Sequence, residues 1–118
     1  MAIVFLITTL ASLAVLMLGL MGLLGRLPRN HFAGIRTSAT LASDRAWEDA
    51  HRVGSAPMIF AAVAALMVGL ALLPFVLADK IGDEFAVVIV VVQAALIVGG
   101  VLASAVLAHR TAASVPRA

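Results

Sequence analysis

The 118-residue chain contains no cysteine, and only 12% of its residues are Asp, Glu, Lys or Arg. The first absence excludes disulfides and thiol catalysis. The second excludes a water-soluble globule, because soluble domains carry about 25% charged residues. The charge that is present sits in short stretches. Met1 to Gly25, Val53 to Ala78 and Phe85 to Ala108 hold none, and together they make 75 of the 118 residues. With 64% apolar residues and a mean hydropathy of +1.16, the chain is no soluble enzyme, stapled secreted domain or disordered tail. It reads as a small integral membrane protein.

A bilayer's hydrocarbon layer is about 30 Å thick, so roughly 20 apolar residues cross it as a helix. Each charge-free stretch is long enough, and none alternates apolar with polar residues. Backbone amides must be paired in lipid, so helices are expected throughout. The expected fold is all-α, with three transmembrane helices at about 3–25, 55–78 and 85–108. A loop at 26–54, an outer loop at 79–84 and a tail at 109–118 complete one membrane domain. No Lys or Arg precedes the apolar run that begins at Ala2, so Ile3 to Gly25 reads as a retained span, not a signal peptide.

Orientation follows from the basic residues. Three spans put loop 26–54 and the tail on one side, with Arg26, Arg29, Arg36, Arg45, Arg52, Arg110 and Arg117. The other side has Lys80 beside Asp79, Asp83 and Glu84. The excess of Lys and Arg marks the cytoplasmic side, so the N-terminus is expected outside and the C-terminus inside. These arginines also account for the pI near 10.5. No basic patch with interleaved aromatics accompanies them, so no nucleic-acid partner is expected. The arginine-rich face can touch anionic headgroups.

None of the three stretches contains an ionisable side chain, which speaks against a transporter or pore working alone. Gln93 is the one strongly polar group, read as interhelical packing. Small residues recur at helix-packing spacing: Ala61, Ala65 and Gly69; Ala95, Gly99 and Ala103; Gly100, Ser104 and Ala108; and Gly19, Gly22 and Gly25. Gly99, Gly100 and Ser104 are the chosen helix-packing residues. They serve either the three helices themselves or a partner helix, in a homo-oligomer or a larger complex. Pro57 is expected to mark a bend before the second span, and Pro74 to loosen its outer end.

The connection from 26 to 52 reads RLPRNHFAGIRTSATLASDRAWEDAHR. Its first half, with Pro28 and Gly34, lacks helical periodicity and reads as turn or loop. From Ser43, a good N-cap followed by Asp44, a helix is expected. Ala46, Trp47, Ala50, Val53 and Gly54 fall within an arc of about 120°, opposite Asp44, Arg45, Glu48, Asp49 and Arg52. The segment therefore reads as an amphipathic cytoplasmic helix at the headgroup level, with Trp47 in the interface and His51 at the edge of the polar face. Glu48 with Arg52 is a favourable i,i+4 pair, and Arg45 with Asp49 is the weaker order. His31, His51 and His109 lack metal-ligand spacing, and no Ser or Thr has a base in view. No metal, cofactor or catalytic residue is expected.

The run NHFAGIRTSATLASDRAWEDAHRVG, 25 residues long, resembles the signature of the SdpI family, small bacterial membrane proteins named for immunity to a peptide toxin. Matching positions are Asn30, Gly34, Ile35, Arg36, Thr37, Thr40, Leu41, Ser43, Trp47, His51, Arg52 and Gly54. Family members often carry proline after the GIRT run, where this chain has Ser38. The resemblance implies a multi-pass protein of the bacterial plasma membrane that protects against a peptide toxin or signals its presence, in part through a cytoplasmic regulator. Asn30, Gly34, Arg36, Thr37, Thr40, Trp47, His51 and Arg52 are the candidate partner-binding residues. Arg36 offers a planar fork for carboxylate or phosphate, and the hydroxyls and amide offer hydrogen bonds. The alternative is that these residues fold the loop onto itself. A second function class is an accessory subunit packed against a larger membrane complex.

Overall fold

The structure is a computed structural model that describes residues 1–116. Arg117, counted above with the tail, lies outside the described residues. The elements are α1 (Ala2–Leu23), a 3₁₀ turn (Thr40–Ala42), α2 (Asp44–Gly54), α3 (Ala56–Leu77) and α4 (Asp83–Ala113). They form a rod of 58 × 20 × 20 Å. Three of them, α1, α3 and α4, are long and apolar enough to cross a membrane. In their most apolar windows only 22%, 17% and 22% of residues are buried. The remaining apolar side chains look outward, a surface that hydrocarbon covers and water does not.

The C-terminal ends of α1 and α3 are set by local backbone chemistry. At the end of α1 the Arg26 amide donates to Met21 O (2.8 Å) and the Gly25 amide to Gly22 O (3.3 Å). That is a Schellman cap, and Gly25 supplies the positive φ it requires (+69°). At the end of α3 the same cap recurs, with Lys80 N on Phe75 O (2.9 Å) and Asp79 N on Val76 O (3.1 Å). Here Asp79 takes the left-handed position at φ 56°. Pro57 stands in the first turn of α3, where its missing N–H costs nothing, and the chain breaks between α2 and α3 at Ser55. Pro74 sits inside α3, which continues to Leu77.

The interior of the bundle is made mostly of small and polar residues, beside buried Phe5 and Ile89. Ala62, Ala65, Gly69, Gly100 and Ser104 are buried, as are Thr9, Ser12 and Gln93. The Gln93 amide ties all three long helices. Its Oε1 accepts from Thr8 Oγ1 (2.8 Å), and its Nε2 donates to Ala65 O (3.0 Å) and Thr9 Oγ1 (3.4 Å). A Cβ on Gly69 would stand 2.6 Å from Gln93 Nε2 and collide with Thr9 Oγ1, so this glycine makes room for the amide.

The two small stripes of α4 part company. Gly100 and Ser104 face α3: a Cβ on Gly100 would collide with Ala61, and Ser104 Oγ accepts from Met58 N (2.9 Å), one of the free amides at the start of α3. Gly99 faces away. A Cβ there would meet nothing within 4 Å, and Ala95 and Ala103 beside it are exposed.

The apolar cluster lies at the loop-bearing end. Ile35, Ala39, Ala46, Ala50, Met58, Ala108 and Ala112 pack together, from loop, α2, α3 and α4. This explains why α4 runs to Ala113, five residues past the charge-free stretch. Ala108 lies under Gly54, where an added Cβ would be 2.9 Å from the Ala108 backbone, and Ala112 is buried one turn on.

Candidate functional site

The candidate residues occupy the loop 26–42 and α2. Four local devices fold the loop. Asn30 Oδ1 accepts from Phe32 N (2.8 Å) and Ala33 N (2.7 Å), while its Nδ2 donates to Pro28 O (2.8 Å), an Asx turn. Gly34 follows at φ +103°, a conformation that few other residues adopt without strain. Its missing side chain also matters, since a Cβ would be 2.8 Å from His51 Nε2 and 3.1 Å from Trp47. Thr37 and Thr40 then exchange bonds as a capping box does: Thr37 N donates to Thr40 Oγ1 (2.8 Å) and Thr40 N to Thr37 Oγ1 (3.1 Å). Buried Thr40 also donates to Ile35 O (2.8 Å).

Beneath the loop, α2 starts at Ser43, whose Oγ accepts from Ala46 N (3.0 Å). Its buried face consists of Ala46, Trp47, Ala50, His51 and Gly54. Two expectations need correction. Trp47 is 2% exposed and lies inside the protein, donating from Nε1 to Leu27 O (2.7 Å), so it is no headgroup anchor. Val53 is exposed, and His51 takes the inward position assigned to it. The apolar face of α2 is covered by α4 and the loop. The charged face carries the pairs Arg52–Glu48 (2.8 Å) and Arg45–Asp49 (3.6 Å).

His51 is the keystone of the loop. Its Nε2 accepts from Ile35 N (2.8 Å), so the ring proton is on Nδ1, 2.8 Å from Trp47 O. The ring also stacks on Trp47 with centroids 4.2 Å apart. Below it, a Cβ on Gly22 of α1 would be 3.0 Å from His51 Cβ, and Ser55 Oγ donates to His51 O. Burial pushes the pKa of His51 below its ordinary value of 6.5, and the hydrogen bond to Trp47 O opposes that in part.

Asn30, Gly34, Thr37, Thr40, Trp47 and His51 thus come together, with their polar groups engaged within the loop and with α2. Arg36 and Arg52 look outward: Arg36 donates to His31 O, and Arg52 holds Glu48. Sequence reasoning passed over several participants. Thr8 and Thr9, an adjacent hydroxyl pair in an apolar span, were a readable signal. The amide of Ile35 and the carbonyl of Leu27 leave none, because backbone groups look alike in every residue. His109 of α4 also reaches the loop, with Nδ1 3.1 Å from Thr37 Oγ1.

The sequence from 26 to 104, which spans the loop, α2, α3 and most of α4, matches the SdpI/YfhL protein family. The chain is a multi-pass membrane protein and belongs to that family. No curated protein and no solved structure matches it.

Proposed function

We propose that this protein is a non-enzymatic immunity or signalling protein of the bacterial plasma membrane that binds a partner through the surface of its loop and α2. The partner is a peptide toxin or a cytoplasmic regulator. The observation that supports the reading is the order of the loop. Its polar side chains are consumed in holding one shape, and that shape leaves Arg36 and Arg52 outward. A fixed guanidinium loses less entropy on meeting a carboxylate or phosphate than one on a mobile loop. In this reading Asn30, Gly34, Thr37, Thr40, Trp47 and His51 shape the surface and Arg36 makes contact.

The loop-bearing end is cytoplasmic in this reading and the N-terminus outside, by the excess of arginine. The absence of native cysteine makes topology testable with single cysteines at Ser38 and Gly82. Function is tested in deletion cells exposed to the peptide toxin. The wild-type chain restores growth, and Arg36→Ala at equal membrane level does not. Full protection by Arg36→Ala would falsify the assignment of Arg36.

A second reading, an accessory subunit of a larger complex, is favoured by the outward stripe of Ala95, Gly99 and Ala103 on α4. Small residues admit a partner backbone closely in lipid. A mild-detergent pull-down at natural expression level distinguishes the two. Recovery of a stoichiometric complex that Gly99→Leu disperses supports the subunit; recovery alone sinks it.

A further inference from the structure

The sequence assigns the interfacial aromatic to Trp47, but the structure buries Trp47 and presents Phe32 instead. Phe32 is 92% exposed, more than Phe60 at 76%, which stands on the outward face of α3. It is no frayed side chain, since the Asx turn of Asn30 holds its amide. A rigid loop that raises a phenylalanine this far from its own protein leaves about as much apolar surface open as a ring can offer.

The height of Phe32 along the rod is set by its neighbours. Two residues on, Gly34 abuts His51 Nε2, and His51 in turn lies on Gly22 in the last turn of α1. Gly34 is therefore one side chain away from the last turn of α1, where a span leaves hydrocarbon for headgroups, and Phe32 is two residues from Gly34. The loop's charge is of one sign. Residues 26–42 contain Arg26, Arg29 and Arg36 and no Asp or Glu. Arg29 is paired with Asp44 (3.1 Å), whereas among the described residues Arg26 and Arg36 have no carboxylate partner. An exposed ring flanked by unpaired guanidinium groups, at headgroup level, is complementary to anionic lipid.

We infer that the loop tip is a lipid-docking element: Phe32 enters the headgroup–acyl boundary of the protein's own membrane, and Arg26 and Arg36 hold anionic phospholipid headgroups beside it. The docking fixes the loop against the bilayer on the side away from α2. Arg36 is shared with the proposed partner surface, whereas Phe32 and Arg26 belong to the docking alone, so loss of docking in Arg26→Ala with toxin protection intact separates the two readings.

The test uses the full chain in nanodiscs, with Phe32→Cys carrying an environment-sensitive fluorophore at the chain's single thiol. Asp49→Cys, on the charged face of α2, is the reference site. In discs rich in phosphatidylglycerol the label at 32 shifts to the blue and is quenched by lipids spin-labelled near the headgroup, while the label at 49 is not. In pure phosphatidylcholine the shift is smaller. Each arginine removed, Arg26→Ala and then Arg36→Ala, lowers the inserted-to-withdrawn ratio about fivefold. Both arginines are exposed, so the fold survives their loss. A label at 32 as water-exposed as that at 49 in every disc overturns the inference. So does one that is shielded in native membranes but not in discs, which would assign the tip to a protein.

Discussion

The middle of the bundle and its loop-bearing end bury different mixtures of residues. Between α1, α3 and α4 the interior is mostly polar and small, with Thr9, Ser12, Gln93, Gly69, Gly100 and Ser104 beside Phe5 and Ile89, and most leucines and valines face out. At the loop-bearing end the interior is mainly Trp47, Ile35, Met58 and alanines, around hydrogen-bonded Thr40 and His51, with Asp44, Arg45, Glu48 and Arg52 outside. Each arrangement suits its solvent. In lipid, apolar burial gains nothing, and close backbone approach with a few interhelical hydrogen bonds holds helices together. Beyond the lipid, removing apolar surface from water is again the main driving force. One chain of 118 residues uses both rules, and the change from one to the other falls near Ser55.

The difference can be broken most forcefully at Trp47. Trp47→Ala empties the centre of the water-facing half and strands the Leu27 carbonyl, an expected loss of about 3–5 kcal/mol. The loop should then become sensitive to protease while α1, α3 and α4 stay inserted. A loop as resistant as wild type would mean that Trp47 does not hold it.

Gly54→Ala strikes the junction of the two regimes. The new Cβ would be 2.9 Å from the Ala108 backbone, which cannot swing aside as a side chain can. About 1–3 kcal/mol of destabilisation is expected, read from denaturation in mixed micelles. Gly99→Ala is the control, since its Cβ meets nothing within 4 Å. Equal losses at the two sites would contradict the packing described.

The pH dependence belongs to the water-facing half. The folded-state pKa of His51 is lowered, so between that value and 6.5 the unfolded chain binds the extra proton. The stabilisation is complete above 6.5 and is lost as pH falls from there through the folded value. Protonation also turns Nε2 from acceptor to donor, against the Ile35 N–H at 2.8 Å. The groups packed on the ring are Gly22, Gly34, Ile35 and Trp47, none of them charged. Acidification from about pH 8 to about pH 5 should loosen the loop, as followed by hydrogen exchange at Ile35. His51→Gln should remove the dependence, and His31→Gln, at an exposed site, should leave it.

These contrasts also explain what could be read from sequence. The three spans follow from where charge is absent, a signal that needs no partner to be recognised. Ser43 announced α2 because capping is chemistry within four residues. The inward turn of His51 instead of Val53 was not legible. At 100° per residue both lie near the edge of the face, and the choice rests on two backbone partners, one of them sixteen residues away. The extension of α4 to Ala113 was hidden for a similar reason, since burial of Ala112 depends on the loop and α2 folding over it. Gly99 and Gly100 were indistinguishable by spacing, and rotation of α4 against α3 separates them.

Gln93→Leu should matter far less than its three hydrogen bonds suggest. Helical polar contacts in membranes are worth about 0.6 kcal/mol on average, because the separated helices also find partners. The Ala65 carbonyl keeps its own helical bond, and Thr8 and Thr9 both turn to Phe5 O. A loss above that of Gly54→Ala would show that the polar interior holds the bundle more strongly than the water-facing end does.

The one gain expected lies at the opposite end of the rod. Gly25 and Asp79 occupy the same position in two Schellman caps, with φ +69° and 56°. Glycine adopts that conformation freely; a residue with a Cβ is strained in it, and aspartate less than most because its short polar side chain bonds locally. Asp79→Gly should therefore stabilise the end of α3 by up to about 1 kcal/mol, while Gly25→Asp should destabilise α1. The second change is the larger, because a Cβ on Gly25 would also stand 2.7 Å from Arg52 and 3.0 Å from Glu48, whereas a Cβ on Gly82, in the turn after α3, would meet nothing within 4 Å. A destabilising Asp79→Gly would mean that the carboxylate itself, and not the turn, is what that end requires.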